Sequence, residues 1–233
     1  MESIVTEAIS LIEANKISST EVGDVLGKKG QIEGVHALNK GMFRTGEVAF
    51  IYAINNSNYE VHRQLAEKDI KGKILFVYNV NCDKAIFGDL VTKYIMLYKQ
   101  ARAIVVTGKL RDAHTLIKEQ YPIWLEDVSP IGCVNKQNGE DLDVEEYERL
   151  KAIYEGAVMV CDDSGVVMIP KEKITGQLLT KLNFIEFQED IWFYCLDTLK
   201  MSTFDIVCRK KYLDGELLDR KLLDKLEEFQ KNI

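Results

Sequence analysis

The sequence predicts an α/β fold, because short apolar runs typical of buried strands alternate with segments of helical periodicity. Residues 74–80 and 103–106 are nearly continuous apolar runs, as expected for parallel strands that are covered on both faces. Between them, residues 88–101 place apolar side chains three and four positions apart, which indicates an amphipathic helix. This strand–helix–strand order is the basis of the fold prediction.

The segments on either side extend the pattern. Residues 2–15 have an amphipathic rhythm and predict a helix, and Ser18, Ser19 or Thr20 is expected to cap a second one. The strand at 103–106 is expected to end at Thr107-Gly108, which places residues 109–112 in a loop. The other predicted elements are a strand at 46–53, a short helix at 62–68, a helix running toward Gln120, a strand at 121–125 and a hairpin with strands at 157–161 and 166–170.

The pattern of apolar and charged residues changes near residue 176. Residues 1–175, with the N-terminal helices, are predicted to form one α/β domain. Residues 176–233 are predicted to be a helical extension that ends in a charged helix from about 214 to 231. We expect this extension to pack on the domain or on a neighbouring subunit.

Composition excludes several classes of protein. The 233 residues carry a net charge of −7, which disfavours direct binding to nucleic acid. No stretch has the roughly 18 uncharged apolar residues that a membrane span requires, and the acidic N-terminus does not resemble a signal peptide. The five cysteines include no CxxC pair and predict reduced thiols in a cytoplasmic protein.

A candidate site combines the helix start at Gly88 with the pair Arg111-Asp112. Unpaired N–H groups at a helix start attract anions, and an arginine can hold a carboxylate through two parallel hydrogen bonds. An aspartate is a hard oxygen ligand that suits Mg²⁺ or Mn²⁺. We therefore predict a site for a small carboxylate beside a divalent metal. Its substrate-binding residues would be Gly88, Asp89, Leu90, Val91 and Arg111, and its metal ligand would be Asp112.

Simpler interpretations exist for these residues and their neighbours. Asp112 could cap its own helix while Arg111 lies on the surface. His114 is expected to point to solvent or to pack locally, although it could act as a ligand or a proton carrier. Asp24 could reach the site but is expected to stabilise a helix. The acid-rich residues 139–146 lack the spacing of a calcium loop and predict a solvated loop and helix start.

Six segments within residues 18–175 resemble, in the same order, the family named for the regulator of RNase E activity A. That family also contains the 4-hydroxy-4-methyl-2-oxoglutarate/4-carboxy-4-hydroxy-2-oxoadipate aldolases. The matching segments are Ser19-Thr20-Glu21-Val22-Gly23-Asp24-Val25-Leu26, the strand from Gly46, Gly88-Asp89-Leu90, residues 105–112 (Val-Val-Thr-Gly-Lys-Leu-Arg-Asp), Val128-Ser129-Pro130-Ile131-Gly132 and residues 162–170 (Asp-Asp-Ser-Gly-Val-Val-Met-Ile-Pro).

The resemblance implies a three-layer β/β/α swivelling-type domain, assembled as a homotrimer or homohexamer with sites at subunit interfaces. It also implies an aldolase or oxaloacetate decarboxylase activity on a small 2-oxo acid. In that activity the amides of residues 88–91 bind the pyruvate part, Arg111 holds its carboxylate and carbonyl, and Asp112 anchors the metal. The metal polarises the 2-oxo group, and cleavage leaves a pyruvate enolate. Proton transfers are expected to pass through ordered water.

Two departures from the aldolase pattern leave room for functions other than the aldolase or decarboxylase activity. The family's acidic residue after Arg-Asp-x-x is replaced by Thr115, which carries no negative charge, and the spacing from Gly88 to Arg111 is one residue longer. The family's remote acid from the adjacent subunit has Glu189 as its candidate. One alternative is a non-catalytic regulator that binds a ribonuclease or helicase. Another is an enzyme that acts on a sugar-derived oxo acid in a biosynthetic pathway.

Overall fold

The computed structural model describes residues 3–214 and 217–231, except for the side chains of residues 214 and 229–231. Within these residues, seven strands form one mixed sheet. The order across the sheet is β1-β5-β4-β3-β2-β6-β7. The strands are β1 (His36–Ala37), β2 (Arg44–Ile54), β3 (Ile74–Val80), β4 (Ala103–Leu110), β5 (Ile123–Val128), β6 (Val158–Asp162) and β7 (Gly165–Ile169).

The helices lie between and after these strands. They are α1 (Ile4–Asn15), α2 (Ser19–Val25), α3 (Tyr59–Glu67), α4 (Asp89–Lys93), α5 (Ala113–Lys118), α6 (Val144–Tyr154), α7 (Gly176–Phe193) and α8 (Arg220–Lys231). A π-helical turn, Tyr94–Tyr98, continues α4, and another, Tyr194–Thr198, continues α7. The shorter turns are Lys171–Lys173, Phe204–Cys208 and Lys211–Asp214.

Strand β2 joins two parts of the sheet. Its first residues, Arg44–Glu47, pair antiparallel with β6, whereas Val48–Ile54 pair parallel with β3. Strands β3, β4 and β5 continue in parallel, and the two-residue β1 closes the edge in the opposite direction. One long strand therefore belongs both to the parallel part of the sheet and to the β6–β7 hairpin.

The parallel strands send alternate side chains into two cores, because successive residues of a strand face opposite sides. Leu75 and Ile104 belong to the core that includes residues of α3 and α5. Their neighbours Phe76 and Val105 belong to a second core, which includes residues of β6, β7 and α6. This arrangement confirms the predicted α/β fold class.

Several predicted boundaries were wrong, including the start of α3, which lies at Tyr59 and not at 62. Lys109 and Leu110 lie in β4 and not in a loop, because pairing with β5 resumes after a register shift between Val106 and Lys109. The charged C-terminal helix begins at Arg220, after a 3-10 turn at Lys211–Asp214. Residue 2 of the first predicted helix and residues 215–216 of the last one lie outside the described residues, as do residues 232–233.

The chain divides into two compact units, Met1–Ile174 and Thr175–Ile233. The second unit has its own small core, which includes Ile191, Cys195 and Tyr212. How it packs on the domain or on a neighbouring subunit stays a prediction. Within the described ranges, no helix combines the length and the apolar character needed to cross a bilayer.

Asp162 connects the hairpin to the N-terminal region of the first unit. Its carboxylate accepts hydrogen bonds from the Ser19 N–H at 2.6 Å, the Ser19 hydroxyl at 2.7 Å and the Ser164 N–H at 2.8 Å. Its backbone carbonyl accepts from the indole N–H of the fully buried Trp124 at 2.7 Å. One residue thus joins the hairpin turn, the start of α2 and β5.

We predict that Asp162→Ala lowers the free energy of unfolding by about 2–4 kcal/mol, because the buried Ser19 donors lose their acceptor. Urea unfolding would measure this loss. The matched control is Asp163→Ala, since the Asp163 carboxylate accepts the Gly41 N–H at the surface. That change should cost less than about 1 kcal/mol, and equal losses for the two variants would contradict the prediction.

Candidate functional site

A cavity of about 140 Å³, called here the site cavity, is lined by residues from four separate segments. Arg111, which directly follows β4, forms part of its wall. The loop that leads into α4 forms another part, and the start of α3 and the loop after β5 complete it. The lining residues are Asn58, His62, Ala85, Ile86, Phe87, Gly88, Asp89, Leu90, Val91, Arg111, Gly132, Cys133 and Asn135. The structure therefore brings all five predicted substrate-binding residues to one cavity.

Gly88 is required by a close approach between two segments. A Cβ at this position would lie 1.9 Å from Oδ2 of Asp112 and 2.8 Å from Cγ of Arg111. Real Cβ atoms essentially never make contacts this short, so any larger residue would push the Arg111-Asp112 segment away. The absence of a side chain allows the start of α4 to contact the end of β4.

Asp112 does not cap its own helix. The residue has a left-handed backbone conformation with φ of 58°, and its side chain makes no capping hydrogen bond to α5. Instead, Oδ2 accepts the N–H of Asp89 at 3.1 Å and lies 3.4 Å from Nε of Arg111. Asp112 thus caps the neighbouring helix α4, and the simpler interpretation of it as a cap for its own helix was wrong.

The amides at the start of α4 differ in their hydrogen bonding. The N–H of Asp89 donates to Asp112, and the N–H of Leu90 donates to Oδ1 of Asp89 itself at 2.7 Å. Within residues 3–214 and 217–231, the N–H groups of Gly88 and Val91 have no hydrogen-bond partner. Only part of the predicted row of amides is therefore open to an anion.

The side chain of Arg111 extends across the cavity wall toward a second glycine. Its backbone N–H donates to the carbonyl of Phe87 at 3.0 Å, which holds the residue beside the loop before α4. A Cβ at Gly132 would lie 3.0 Å from Nη1 of Arg111, so this glycine leaves room for the guanidinium. About half of the Arg111 side chain remains exposed. The group can therefore contact a ligand that enters from solvent.

Four polar or thiol residues of the cavity were missed by the sequence prediction: Asn58, His62, Cys133 and Asn135. Oδ1 of Asn58 is buried and has no hydrogen-bond partner among the described residues, so it calls for a donor such as a bound water or a ligand. His62 lies one helical turn later. The spacing of four residues between Asn58 and His62 was the available signal, because residues i and i+4 share a helix face. The predicted helix start at 62 concealed it, since α3 begins at Tyr59.

The remaining predicted residues lie elsewhere. His114 is exposed on α5 and is not among the cavity residues, which agrees with the simpler interpretation. Asp24 forms an ion pair with Lys28 on α2 and the turn after it. Glu189 lies in α7, within the second unit, and its role toward a neighbouring subunit stays a prediction. Asp143 caps α6 in the acid-rich segment, as a helix start requires.

The donor atoms near the site fit a hard divalent cation held by few protein ligands. In the parts of the chain that the structure describes, no three His, Cys, Asp or Glu side chains form a cluster that could hold a metal ion. Oδ1 of Asp112 has no partner among those residues, while Oδ2 is held by Asp89. Mg²⁺ commonly binds to one or two carboxylates and keeps water or substrate oxygens as its other ligands. Asp112 fits that mode.

The first unit is thus a mixed α/β domain with a small cavity beside the end of β4. A family model described as RraA-like, Aldolase/RraA, matches residues 11–168, which is more than half of the chain. The chain therefore belongs to the RraA-like family. This family contains both aldolase or decarboxylase enzymes and inhibitors of RNase E.

Solved structures with the same fold include proteins of different descriptions. An uncharacterized protein from Pseudomonas syringae is 19% identical, with a TM-score of 0.61 over 85% of this chain and 96% of that one. Streptomyces coelicolor RraAS2, described as an unusual member of the RNase ES inhibitor RraA family, is 21% identical, with a TM-score of 0.61 over 79% and 96%. The RNA-processing inhibitor RraA from Thermus thermophilus is 19% identical, with a TM-score of 0.52 over 66% and 92%. At these identities the likeness concerns the fold.

We predict that Gly88→Ala lowers the free energy of unfolding by about 1–3 kcal/mol, because the new methyl group overlaps the Asp112 carboxylate. Thermal unfolding would measure the effect. Gly23→Ala is the matched control, since a Cβ there meets only Cγ2 of Val167 at 3.9 Å and lies within α2. A Gly88→Ala variant as stable as the control would show that the close contact is absent in solution.

Proposed function

We propose that the protein is a divalent-metal-dependent lyase that cleaves a small 2-oxo acid, of the 4-hydroxy-4-methyl-2-oxoglutarate aldolase or oxaloacetate decarboxylase type. The observation that carries the proposal is that Arg111, Gly88 and Val91 line one cavity, and that the N–H groups of the last two have no partner among the described residues. Its volume of about 140 Å³ is well below the roughly 300–1,000 Å³ of sites for drug-sized ligands, and therefore suits a small acid.

Arg111 would bind the substrate through its carboxylate and 2-oxo oxygen. A guanidinium presents two parallel N–H groups to a carboxylate, and the amides of Gly88 and Val91 add donors from the positive end of α4. When the carbon–carbon bond breaks, its electron pair passes to the fragment that becomes the pyruvate enolate. Because the same donors face that developing negative charge, they stabilise the transition state more than the ground state.

Mg²⁺ or Mn²⁺ would be held by Asp112, with Glu189 of a neighbouring subunit as a further proposed ligand. When bound, such a cation supplies a Lewis acid for the 2-oxo group. Thr115 contributes no carboxylate, so the protein itself offers little charge to the cation. We therefore expect weak metal binding that depends on substrate oxygens as additional ligands.

Asn58 and His62 are proposed to act on the part of the substrate that leaves. The side-chain amide of Asn58, which lines the cavity, would hydrogen-bond a substrate hydroxyl and orient that group. The imidazole of His62 can accept the hydroxyl proton as the carbon–carbon bond breaks, directly or through one water. His62 would then carry out the proton transfer that the sequence had led us to expect from ordered water.

An exposed apolar surface beside the cavity supports the proposed homotrimer or homohexamer. Leu90 is 78% exposed and Tyr98 is 72% exposed, and Tyr94 and Leu97 lie on the same segment. Contiguous apolar surface of this kind marks sites of protein association. Since Leu90 also lines the cavity, association through this face would place the cavity near a subunit boundary. A cytoplasmic location remains our expectation for such an enzyme.

A second candidate function is regulation, in which the protein binds and inhibits a ribonuclease or helicase without catalysis. The absence of a three-residue metal cluster among the described residues and the neutral Thr115 favour it. Two structural neighbours described as inhibitors support it at the level of fold. An enzyme acting on a sugar-derived oxo acid would use the same cavity with a different leaving group.

We predict that Arg111→Ala lowers kcat/KM for pyruvate release by about 10²–10³-fold, because one charged donor to the developing oxyanion is lost. Pyruvate release from 4-hydroxy-4-methyl-2-oxoglutarate and from oxaloacetate, with Mg²⁺ or Mn²⁺, is the measurement. Arg149→Ala is the control, since Arg149 is paired with Glu146 on the surface of α6. If Arg111→Ala behaves as wild type on a true substrate, the catalytic assignment is wrong.

We predict that Asp112→Asn weakens Mn²⁺ binding at least tenfold, since a neutral amide replaces the only proposed carboxylate ligand of this chain's own site. Electron paramagnetic resonance of free Mn²⁺, in the presence of oxalate as a pyruvate-enolate mimic, would report the bound fraction. Asp163→Asn removes an equal charge at a distant hairpin and serves as the control. Absence of turnover with every metal, together with specific retention of a ribonuclease or helicase, would select the regulatory function.

A further inference from the structure

Two cysteines lie on adjacent segments at and beneath the wall of the site cavity. Cys133 is half-buried and lines the cavity, while Cys82 is 7% exposed and belongs to the core beneath it. Cys133 packs against that same core. Its sulfur lies 3.8 Å from the carbonyl oxygen of Lys84, two residues after Cys82.

Backbone hydrogen bonds hold the two cysteine segments beside each other. The N–H of Ala85 donates to the carbonyl of Ile131 at 2.9 Å, and the N–H of Cys133 donates to the carbonyl of Ala85 at 2.8 Å. The N–H of Cys82 is held by Oδ1 of Asn79 at 2.8 Å. Both main chains are therefore fixed, and the sulfur of Cys133 lies against the segment that begins at Cys82.

We propose that Cys82 and Cys133 form a peroxide-reactive dithiol, in which Cys82 is the attacking thiolate and Cys133 the resolving thiol of an intramolecular disulfide. Nothing in the lyase chemistry uses either sulfur, so this inference stands independently of the proposed function. The oxidant is a small hydroperoxide, because Cys82 is too buried for a bulky disulfide such as oxidised glutathione to reach it.

The electrostatics distinguish the roles of the two thiols. The nearby Cys133 thiol, helped by the backbone amides of Asn56 and Ser57 and opposed by burial, lowers the pKa of Cys82 to about 7. The same contact, together with burial, raises the pKa of Cys133. Cys82 therefore carries the negative charge near neutral pH, while Cys133 keeps its proton until Cys82 has reacted.

The reaction balances with one peroxide per dithiol. The Cys82 thiolate attacks one peroxide oxygen, the O–O bond breaks, and the departing hydroxide takes a proton to become water, which leaves a sulfenic acid on Cys82. The neutral sulfenic acid no longer holds the Cys133 proton. Cys133 then loses that proton, its sulfur attacks Cys82, and hydroxide leaves to form a second water. Two thiols are oxidised by two electrons, and the peroxide is reduced to two waters.

The test begins with full-length protein that has been reduced and freed of reductant. Stoichiometric hydrogen peroxide should lower the number of thiols titrated in denaturant from five to three per chain. Peptide mapping without reductant should recover the Cys82–Cys133 cross-linked peptide. The same amount of oxidised glutathione should leave both thiols free, which separates a small hydroperoxide from a bulky disulfide as the oxidant.

Variants assign the roles within the pair. Cys208→Ser, at an exposed position of the second unit, should leave the cross-link unchanged. Cys133→Ser should abolish it and leave a sulfenic acid on Cys82 that dimedone traps, and Cys133→Ala serves if the serine variant fails to fold. Oxidation that consumes Cys208 while Cys82 and Cys133 stay reduced would overturn the proposal. Recovery of sulfenic acid on Cys133 in a Cys82→Ser variant, at the wild-type rate, would overturn the assigned order.

The pH dependence gives an independent prediction. Because the thiolate reacts, the rate of disulfide formation should rise as pH increases through about 7 and then level off. The charged side chains acting on the pair are Asp83, which opposes both thiolates, and Lys84, which favours that of Cys133. Stopped-flow measurement of peroxide consumption between pH 5.5 and 9 would report the midpoint. A rate that rises only above pH 9 would contradict the assignment of Cys82 as the attacking thiolate.

Discussion

The contact between the end of β4 and the start of α4 is the constraint on which the site depends. Oδ2 of Asp112 takes the N–H of Asp89, and Gly88 permits this approach because it has no side chain. The backbone bond from Arg111 to Phe87 adds a second link between the same segments. Together these contacts place a guanidinium, a carboxylate and two unpartnered amides beside one cavity.

The two-sided sheet explains why this placement is possible. Parallel strands β3 and β4 are buried on both faces, so their positions are set by apolar packing rather than by the polar loops that follow. The loops beyond β4 and β5 can therefore carry glycines and charged residues without weakening the core. Pairing with β5 resumes at Lys109 after the register shift in β4, and the N–H of Arg111 then donates to the carbonyl of Phe87 beside Gly88.

Asp112 has a structural role in this arrangement, in addition to its proposed role as a metal ligand. With Oδ2 capping α4, one oxygen remains for a cation, and the helix start loses one of its anion-binding amides. The Asp112 carboxylate thus affects both the proposed metal ligand set and the amides that would bind the substrate carboxylate. The family contains both enzymes and inhibitors, and for this chain the proposed lyase function depends on whether Asp112 can hold a cation beside the neutral Thr115.

The sequence alone predicted the α/β class, most elements and the pairing of Gly88 with Arg111-Asp112, because buried strands and helix starts leave local patterns of apolar and glycine residues. It did not predict that Asp112 caps a different helix, nor that Asn58, His62 and Cys133 share the cavity. These contacts join segments that lie far apart along the chain, so the local pattern shows only that Asn58 and His62 share a helix face and not which other segments they meet. Only the packing of the loops above the sheet decided which side chains meet. It buries Asn58 and brings the Cys82 and Cys133 segments together, because backbone hydrogen bonds join loops that are distant in sequence.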